Sequence, residues 1–307
     1  KLEELGIGRP SVNIDANIYS FDWLGNTGIN IKFETNYSKK GQTPTIEKAK
    51  EILNEMLEKP VVEKVKIDYT KPVKHKQFEK IKMCVENNLP VYLYGPAGSG
   101  KNHVLQQIAE ELELEFYFTN SVQQEYKLTG FIDAGGKFHE TEFYKAFKDG
   151  GLFFLDEMDA SIPEVLVLLN AAIANGYFRV VSAGNTVGSG ADEQYTGRLQ
   201  LDQATLDRFI FIEFDYDRNI ELAIAKGNTQ LVDFINNLRE QANQKGIRAT
   251  FSYRSIIMVT KLEGKLEIKD ILTMAVVKGM DKDTINTFDT YKLSGNKYAQ
   301  ALKQLQA

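Results

Sequence analysis

The chain has 307 residues, 43% hydrophobic and 26% charged, an ordinary balance for a globular protein with a sizeable core. Its net charge of −5 gives no general attraction to nucleic acid or to an anionic membrane. A single cysteine, Cys84, excludes an internal disulfide and fits a reducing, cytoplasmic setting, and no apolar run is long enough to span a bilayer.

The opening Lys1-Leu2-Glu3-Glu4 does not read as a signal peptide, and no initiator Met precedes it, so the expectation is a chain trimmed at its start. Three regions then follow: an N-terminal α+β region over 1–71, an α/β region over 72–217 and a helical region over 218–307. In the first, the alternation Ile29-Asn30-Ile31-Lys32-Phe33 predicts a half-exposed strand. Thr45 opens a helix that Pro60 stops after Lys59, and Asp68 to Lys74 reads as a linker. In the second, the apolar runs Val91 to Tyr94, Phe116 to Phe118, Leu152 to Leu155, Val180-Val181 and Phe209 to Ile212 predict buried strands. Amphipathic stretches such as Val104 to Leu112 and Pro163 to Ala174 lie between them. That alternation implies a parallel sheet covered on both faces. The third region predicts helices over Ile220 to Ala225, Leu231 to Gln244 and Arg254 to Leu262, with a last one ending near Gln306.

The strongest chemical signal is the run Gly95, Pro96, Ala97, Gly98, Ser99, Gly100, Lys101, Asn102, His103, which follows a predicted strand and opens a predicted helix. Its Gly-x4-Gly-Lys spacing is that of a P-loop: glycines let successive N–H groups face phosphate oxygens, and the helix presents its positive end to the same anion. Lys101 adds a cation for the terminal phosphates of ATP. Asn102 departs from the usual Ser or Thr, whose hydroxyl binds Mg²⁺. Its carboxamide oxygen can serve instead, since Mg²⁺ accepts neutral oxygen ligands, so Mg²⁺–nucleotide binding is expected to survive. The second signal is the strand Leu152-Phe153-Phe154-Leu155 ending in Asp156-Glu157, a Walker B arrangement. Asp156 would hold the metal, and Glu157 would orient and deprotonate the attacking water. Third, Asn185 ends the strand after Val180-Val181, where a polar side chain can reach the terminal phosphate. Fourth come Arg208, just before an apolar strand, and Arg198 upstream of it. Fifth, Arg254 opens a helix of the third region.

Taken in order, these motifs resemble the AAA+ superfamily, with wording nearest to the MoxR and dynein-related group. The stretch from Tyr94 to Phe211 is similar to phage and bacterial ATPases of the cobalt-chelatase small-subunit kind. Gly150 to Glu157, Asn170-Ala171-Ala172-Ile173-Ala174, Gly184-Asn185-Thr186 and Leu201-Asp202 to Phe209 carry that resemblance. It implies a P-loop AAA+ core, a parallel sheet between helices, followed by a small helical lid. It also implies a hexameric ring with ATP at the subunit interfaces and mechanical work on a partner. Arg208 would then be a finger reaching the neighbour's nucleotide, with Arg198 in reserve, and Arg254 would touch the γ-phosphate of its own subunit. The family usually carries a β-hairpin insert where Gly176-Tyr177-Phe178 here runs straight into Arg179, so either the insert is absent or its residues are missing from this sequence. The loop Gly130 to Gly136 would lie near the ring axis, making Phe131 either an aromatic pore contact or a core residue beside Phe138.

The histidines His75, His103 and His139 lack metal-ligand spacing. Lys71, Lys74, His75, Lys76, Lys80 and Lys82 form a basic stretch that reads as solvated linker charge. Three functions stay open: an ATP-driven remodeller of a protein partner, a nucleic-acid translocase or helicase, and an ATP-gated scaffold with little turnover, the last motivated by Asn102.

Overall fold

The computed structural model describes residues 73–175 and 178–307 in full and, before them, the backbone of three short strands. The chain divides into two compact units, Lys1–Lys66 and Ile67–Ala307. The first holds an antiparallel meander of β1 (Ser11–Asn13), β2 (Ile18–Phe21) and β3 (Ile29–Ile31), in that spatial order. The expected strand at Ile29 is β3. Lys32 and Phe33, the helix from Thr45 to Lys59 and the linker residues 68–72 lie outside the described residues.

The second unit is built on five parallel strands: β4 (Val91–Tyr94), β5 (Phe116–Thr119), β8 (Leu152–Leu155), β9 (Arg179–Gly184) and β10 (Ile210–Glu213). Their order across the sheet is β10-β4-β9-β8-β5. Because successive side chains of a strand point to opposite faces, a strand covered on both sides must be apolar throughout. Val91, Leu93, Leu152, Phe154, Val181 and Ala183 enter the core on one face, while Tyr92, Phe153, Leu155 and Val180 enter the core on the other. Helices α1 (Phe78–Glu86) and α2 (Lys101–Glu111) close the first face through Phe78, Ile81, Val85, Val104, Leu105 and Ile108. After the single turn α3 (Tyr126–Thr129), helices α4 (Glu142–Asp149) and α5 (Pro163–Asn175) close the second through Phe143, Ala146, Leu166 and Leu169. The sheet edge β10, preceded by the short α6 (Gln203–Leu206), leaves Ile210 and Phe211 partly exposed.

The C-terminal region is helical as expected: α7 (Arg218–Ile224), α8 (Thr229–Lys245), α9 (Tyr253–Leu262), α10 (Ile268–Ala275), α11 (Lys282–Asn286) and α12 (Lys297–Gln306). The short α10 and α11 were not foreseen. Asp217, Asn228, Ser252, Asp281 and Asn296 each accept a backbone N–H at the start of their helix, so five of the six are capped by a side chain. These helices bury a hydrophobic cluster of their own, centred on Phe234, Leu238, Ile256, Leu272 and Tyr298.

The structure decides between the two readings of Phe131. Phe131 does not pack into the core: it lies on a two-stranded hairpin, β6 (Phe131–Ile132) with β7 (Phe138–His139), is 46% exposed and stacks on the His139 ring. Within the basic stretch, Lys74 is exposed and Lys82 partly exposed, and both pair with the Glu111 carboxylate, while Lys76 Nζ donates to the Tyr216 carbonyl. No helix of the described residues is long and apolar enough to cross a membrane.

Candidate nucleotide site

The parallel sheet delivers the C-terminal ends of β4, β8 and β9 to one edge, and the site forms there. β9 lies between β4 and β8, so Asn185 stands between the glycine loop and the Asp156-Glu157 pair. A cavity of about 670 Å³ is lined by residues of the Ala97–Val104 loop and helix start, by Asp156, Glu157 and Asn185, and by Tyr253, Arg254 and Ile257.

The glycines in the loop are there for contact as well as for curvature. Gly95 has φ 149°, and a Cβ on it would fall 2.4 Å from the Phe214 carbonyl oxygen. Gly98, at φ 71°, would place a Cβ 2.8 Å from Ser252 Oγ, so the loop and the start of α9 fit only without a side chain. Lys101 Nζ donates to the carbonyls of Gly95 at 2.8 Å and Pro96 at 3.0 Å. Burial pushes its pKa down to about 8, against the opposing pull of Asp156 and Asp159. One helix residue on, Asn102 Oδ1 is buried with no hydrogen-bond partner. A buried acceptor without a partner costs about 1–3 kcal/mol, and an oxygen left in that state, in a cavity that Asp156 also lines, is a fitting ligand for a hard cation.

Asp156 directly follows β8, and its Oδ1 accepts the Glu157 N–H at 2.9 Å. Burial pushes its carboxyl pKa up. Glu157 adopts a left-handed backbone, φ 52°, unusual for a residue with a side chain, and its carboxylate is half exposed. Arg198 Nη2 reaches it at 3.3 Å. The Asn185 carboxamide suits its neighbours with Nδ2 donating to Gly95 O at 3.3 Å and Oδ1 accepting from Arg198.

Arg254 lines the cavity from α9, whose start is fixed by a chain of contacts. Arg239 pairs with the buried Glu221 at 2.8 Å, donates to the Phe251 carbonyl and stacks over the Tyr216 ring. Tyr253 Oη accepts the Asp217 N–H at 2.6 Å. The cavity therefore takes one wall from the helical region. His103 lines it from the outer face of α2. Arg208 lies elsewhere, exposed, and donates to the Ala204 carbonyl of its own helix turn. His75 is held structurally, stacked on Phe214 with Nε2 2.8 Å from the Asp215 carbonyl oxygen, and burial lowers its pKa. Among the described residues no cluster of His, Cys, Asp or Glu is built to hold a metal alone.

Sequence reasoning missed Asp159, Tyr195 and Tyr216. Asp159 is fully buried; its Oδ2 accepts from Asn185 N, Thr186 N and Thr186 Oγ1, and its Oδ1 lies 3.6 Å from Arg198 Nε. The signal for it was a third acid two places after Glu157. The tyrosines flank the Ala97 peptide: Ala97 N donates to Tyr195 Oη at 3.1 Å, and Tyr216 Oη donates to Ala97 O at 2.9 Å. Neither had a signal in its neighbours along the chain.

A parallel sheet of this order, with a glycine loop leaving β4, an Asp-Glu pair leaving β8 and a capping helical region, defines an α/β P-loop core of the AAA+ type. Residues 90–230 match the AAA domain family, dynein-related subfamily. An uncharacterised protein of Staphylococcus epidermidis is 27% identical over 236 residues, 67% of this chain and 90% of the relative. Another of Staphylococcus aureus is 27% identical over 237 residues, 68% of this chain and 87% of the relative. Among solved structures, the Thermotoga maritima RuvB Holliday junction branch migration motor is similar at TM-score 0.42 and 17% identity, over 77% of this chain and 72% of that one. The Pif1 helicase of Candida albicans follows at TM-score 0.36 and 18% identity, over 55% and 44%. At those scores neither likeness carries an argument about what this chain does.

Proposed function

We propose that this chain is an ATPase that binds Mg²⁺–ATP in the cavity and hydrolyses it at the subunit interfaces of a homo-oligomeric ring, to remodel a protein partner. The observation that supports this most is the convergence of Lys101, Asp156, Glu157 and Asn185 on one cavity closed by Arg254. The triphosphate would lie along the N–H groups of the loop, with Lys101 exchanging its carbonyl partners for phosphate oxygens. Asp156 and Asn102 Oδ1 would hold the Mg²⁺, which supplies charge neutralisation of the phosphates when bound. Glu157 would accept the proton of the attacking water at its carboxylate, and Asn185 would position that water. Arg208, free of its own cavity, would act on a neighbour's. A nearer kinship with the MoxR group and cobalt-chelatase small-subunit-like ATPases is part of this reading, as is an axial role for Phe131.

Phosphate release measured for the wild type and for Glu157→Gln, with and without single-stranded DNA, tests it. Turnover that Glu157→Gln abolishes while ATP binding persists supports the reading. Stimulation by DNA would replace it with a translocase, and absence of turnover in the wild type with a nucleotide-gated scaffold.

A further inference from the structure

The loop between β9 and α6 brings two side chains onto residues that line the cavity, Glu157 and Ala97, and their placement goes beyond the motifs. One is Arg198, on Glu157. The other is Tyr195, whose hydroxyl oxygen accepts the Ala97 N–H at 3.1 Å. Ala97 belongs to the leading limb of the glycine loop. The Lys101 ammonium, which serves the β- and γ-phosphates in a P-loop, rests on the carbonyls of Gly95 and Pro96 immediately before it. Ala97 therefore marks the terminal-phosphate end of the cradle, in the cavity that Asp156 and Glu157 also line.

Tyr195 is held there firmly. Asp192 Oδ1 accepts the N–H groups of Gln194 at 2.8 Å and Tyr195 at 2.5 Å, which closes a tight turn. The base of the loop is pinned by Leu199 N on the Asp159 carbonyl at 2.7 Å and Leu201 N on the Gly188 carbonyl at 2.9 Å. The hydroxyl accepts from Ala97, and among the described residues that is its one hydrogen-bond partner, so its own proton is left to donate. On the far side Tyr216 holds the Ala97 carbonyl, which fixes the peptide between the two rings.

We propose that Tyr195 is a specificity residue for the terminal phosphate: its hydroxyl, oriented by the Ala97 N–H, donates to a γ-phosphate oxygen and so distinguishes a nucleoside triphosphate from a diphosphate. This rests on the reading of the cavity as a nucleotide site. A hydrogen bond to a charged oxygen, lost, is worth about 10- to 100-fold in affinity.

The test is titration of the full chain with fluorescent ADP and with a fluorescent, non-hydrolysable ATP analogue, both with Mg²⁺, for the wild type and Tyr195→Phe. The phenyl ring keeps the packing and removes only the hydroxyl. The expected result is a loss of about 10- to 100-fold for the triphosphate with ADP affinity within twofold. Equal losses for both nucleotides would show that Tyr195 only shapes the loop, and tighter binding of both would show that its oxygen competes with phosphate; either overturns the proposal, as does no change. A wild type that binds neither nucleotide sinks the nucleotide site itself, a failure distinct from these.

Discussion

Arg198 Nη2 lies 3.3 Å from Glu157 Oε1, within a single chain, although 41 residues separate the two. The same guanidinium lies 3.6 Å from the buried Asp159, so one arginine ties the Asp-Glu end of β8 to the loop after β9. Arg198→Ala is expected to lower turnover by about 100-fold or more, the size typical of losing one charge-stabilising donor, with ATP affinity within a few-fold. Because the contact is made inside the chain, mixing this variant with Lys101→Ala should restore nothing. Steady-state rates of the mixture check that, and recovered activity would mean that Arg198 serves a neighbour.

Lys101→Ala should abolish nucleotide binding, since it removes the cation of the phosphate cradle. In the wild type, burial holds this lysine at about 8. Phosphate oxygens favour its charged form, so its pKa must rise on binding. Above about pH 8 binding then requires proton uptake, and affinity should fall as pH rises, approaching tenfold per pH unit. Calorimetry at pH 7 and pH 9, in buffers of different ionisation enthalpy, measures both. Affinity flat across that window would place the ammonium away from the phosphates.

Asn102 carries an orphaned, buried Oδ1. Asn102→Thr restores a hydroxyl ligand and should keep or raise Mg²⁺-dependent activity. Asn102→Leu removes an unsatisfied acceptor at similar volume. It should melt a few degrees higher while needing at least tenfold more Mg²⁺ for nucleotide binding. Unchanged Mg²⁺ demand in the leucine variant would remove Asn102 from the metal site.

Arg208 bonds to Ala204 and does not line the cavity of its own chain. If it completes a neighbour's site, specific activity should rise with protein concentration. Arg208→Ala should then bind ATP yet lose about 10³-fold or more in rate, as arginine fingers do in related chemistry. Mixing Arg208→Ala with Lys101→Ala should recover activity, because the intact cavity of one variant can borrow the arginine of the other. Rates independent of concentration, with no recovery, would leave a monomeric ATPase.

What could be read directly from the chain was the chemistry carried by consecutive residues. Gly95 to Asn102 combines a glycine loop with a lysine at a helix start, and Leu152 to Glu157 a strand with an acidic pair, each within eight residues, so local pattern was enough to find them. The sheet followed from the same apolar runs, because strands buried on both faces leave no other composition. Tertiary structure decided the rest. Ala97 meets Tyr195 across 98 residues and Tyr216 across 119, and Asn185 meets Asp159 across 26. A parallel sheet collects the ends of distant strands at one edge, and which side chain then reaches which partner depends on packing directions that no single stretch of sequence contains. Arg198 illustrates the difference: its place in the order of motifs marked it as functional, but only the fold turned it toward its own Glu157.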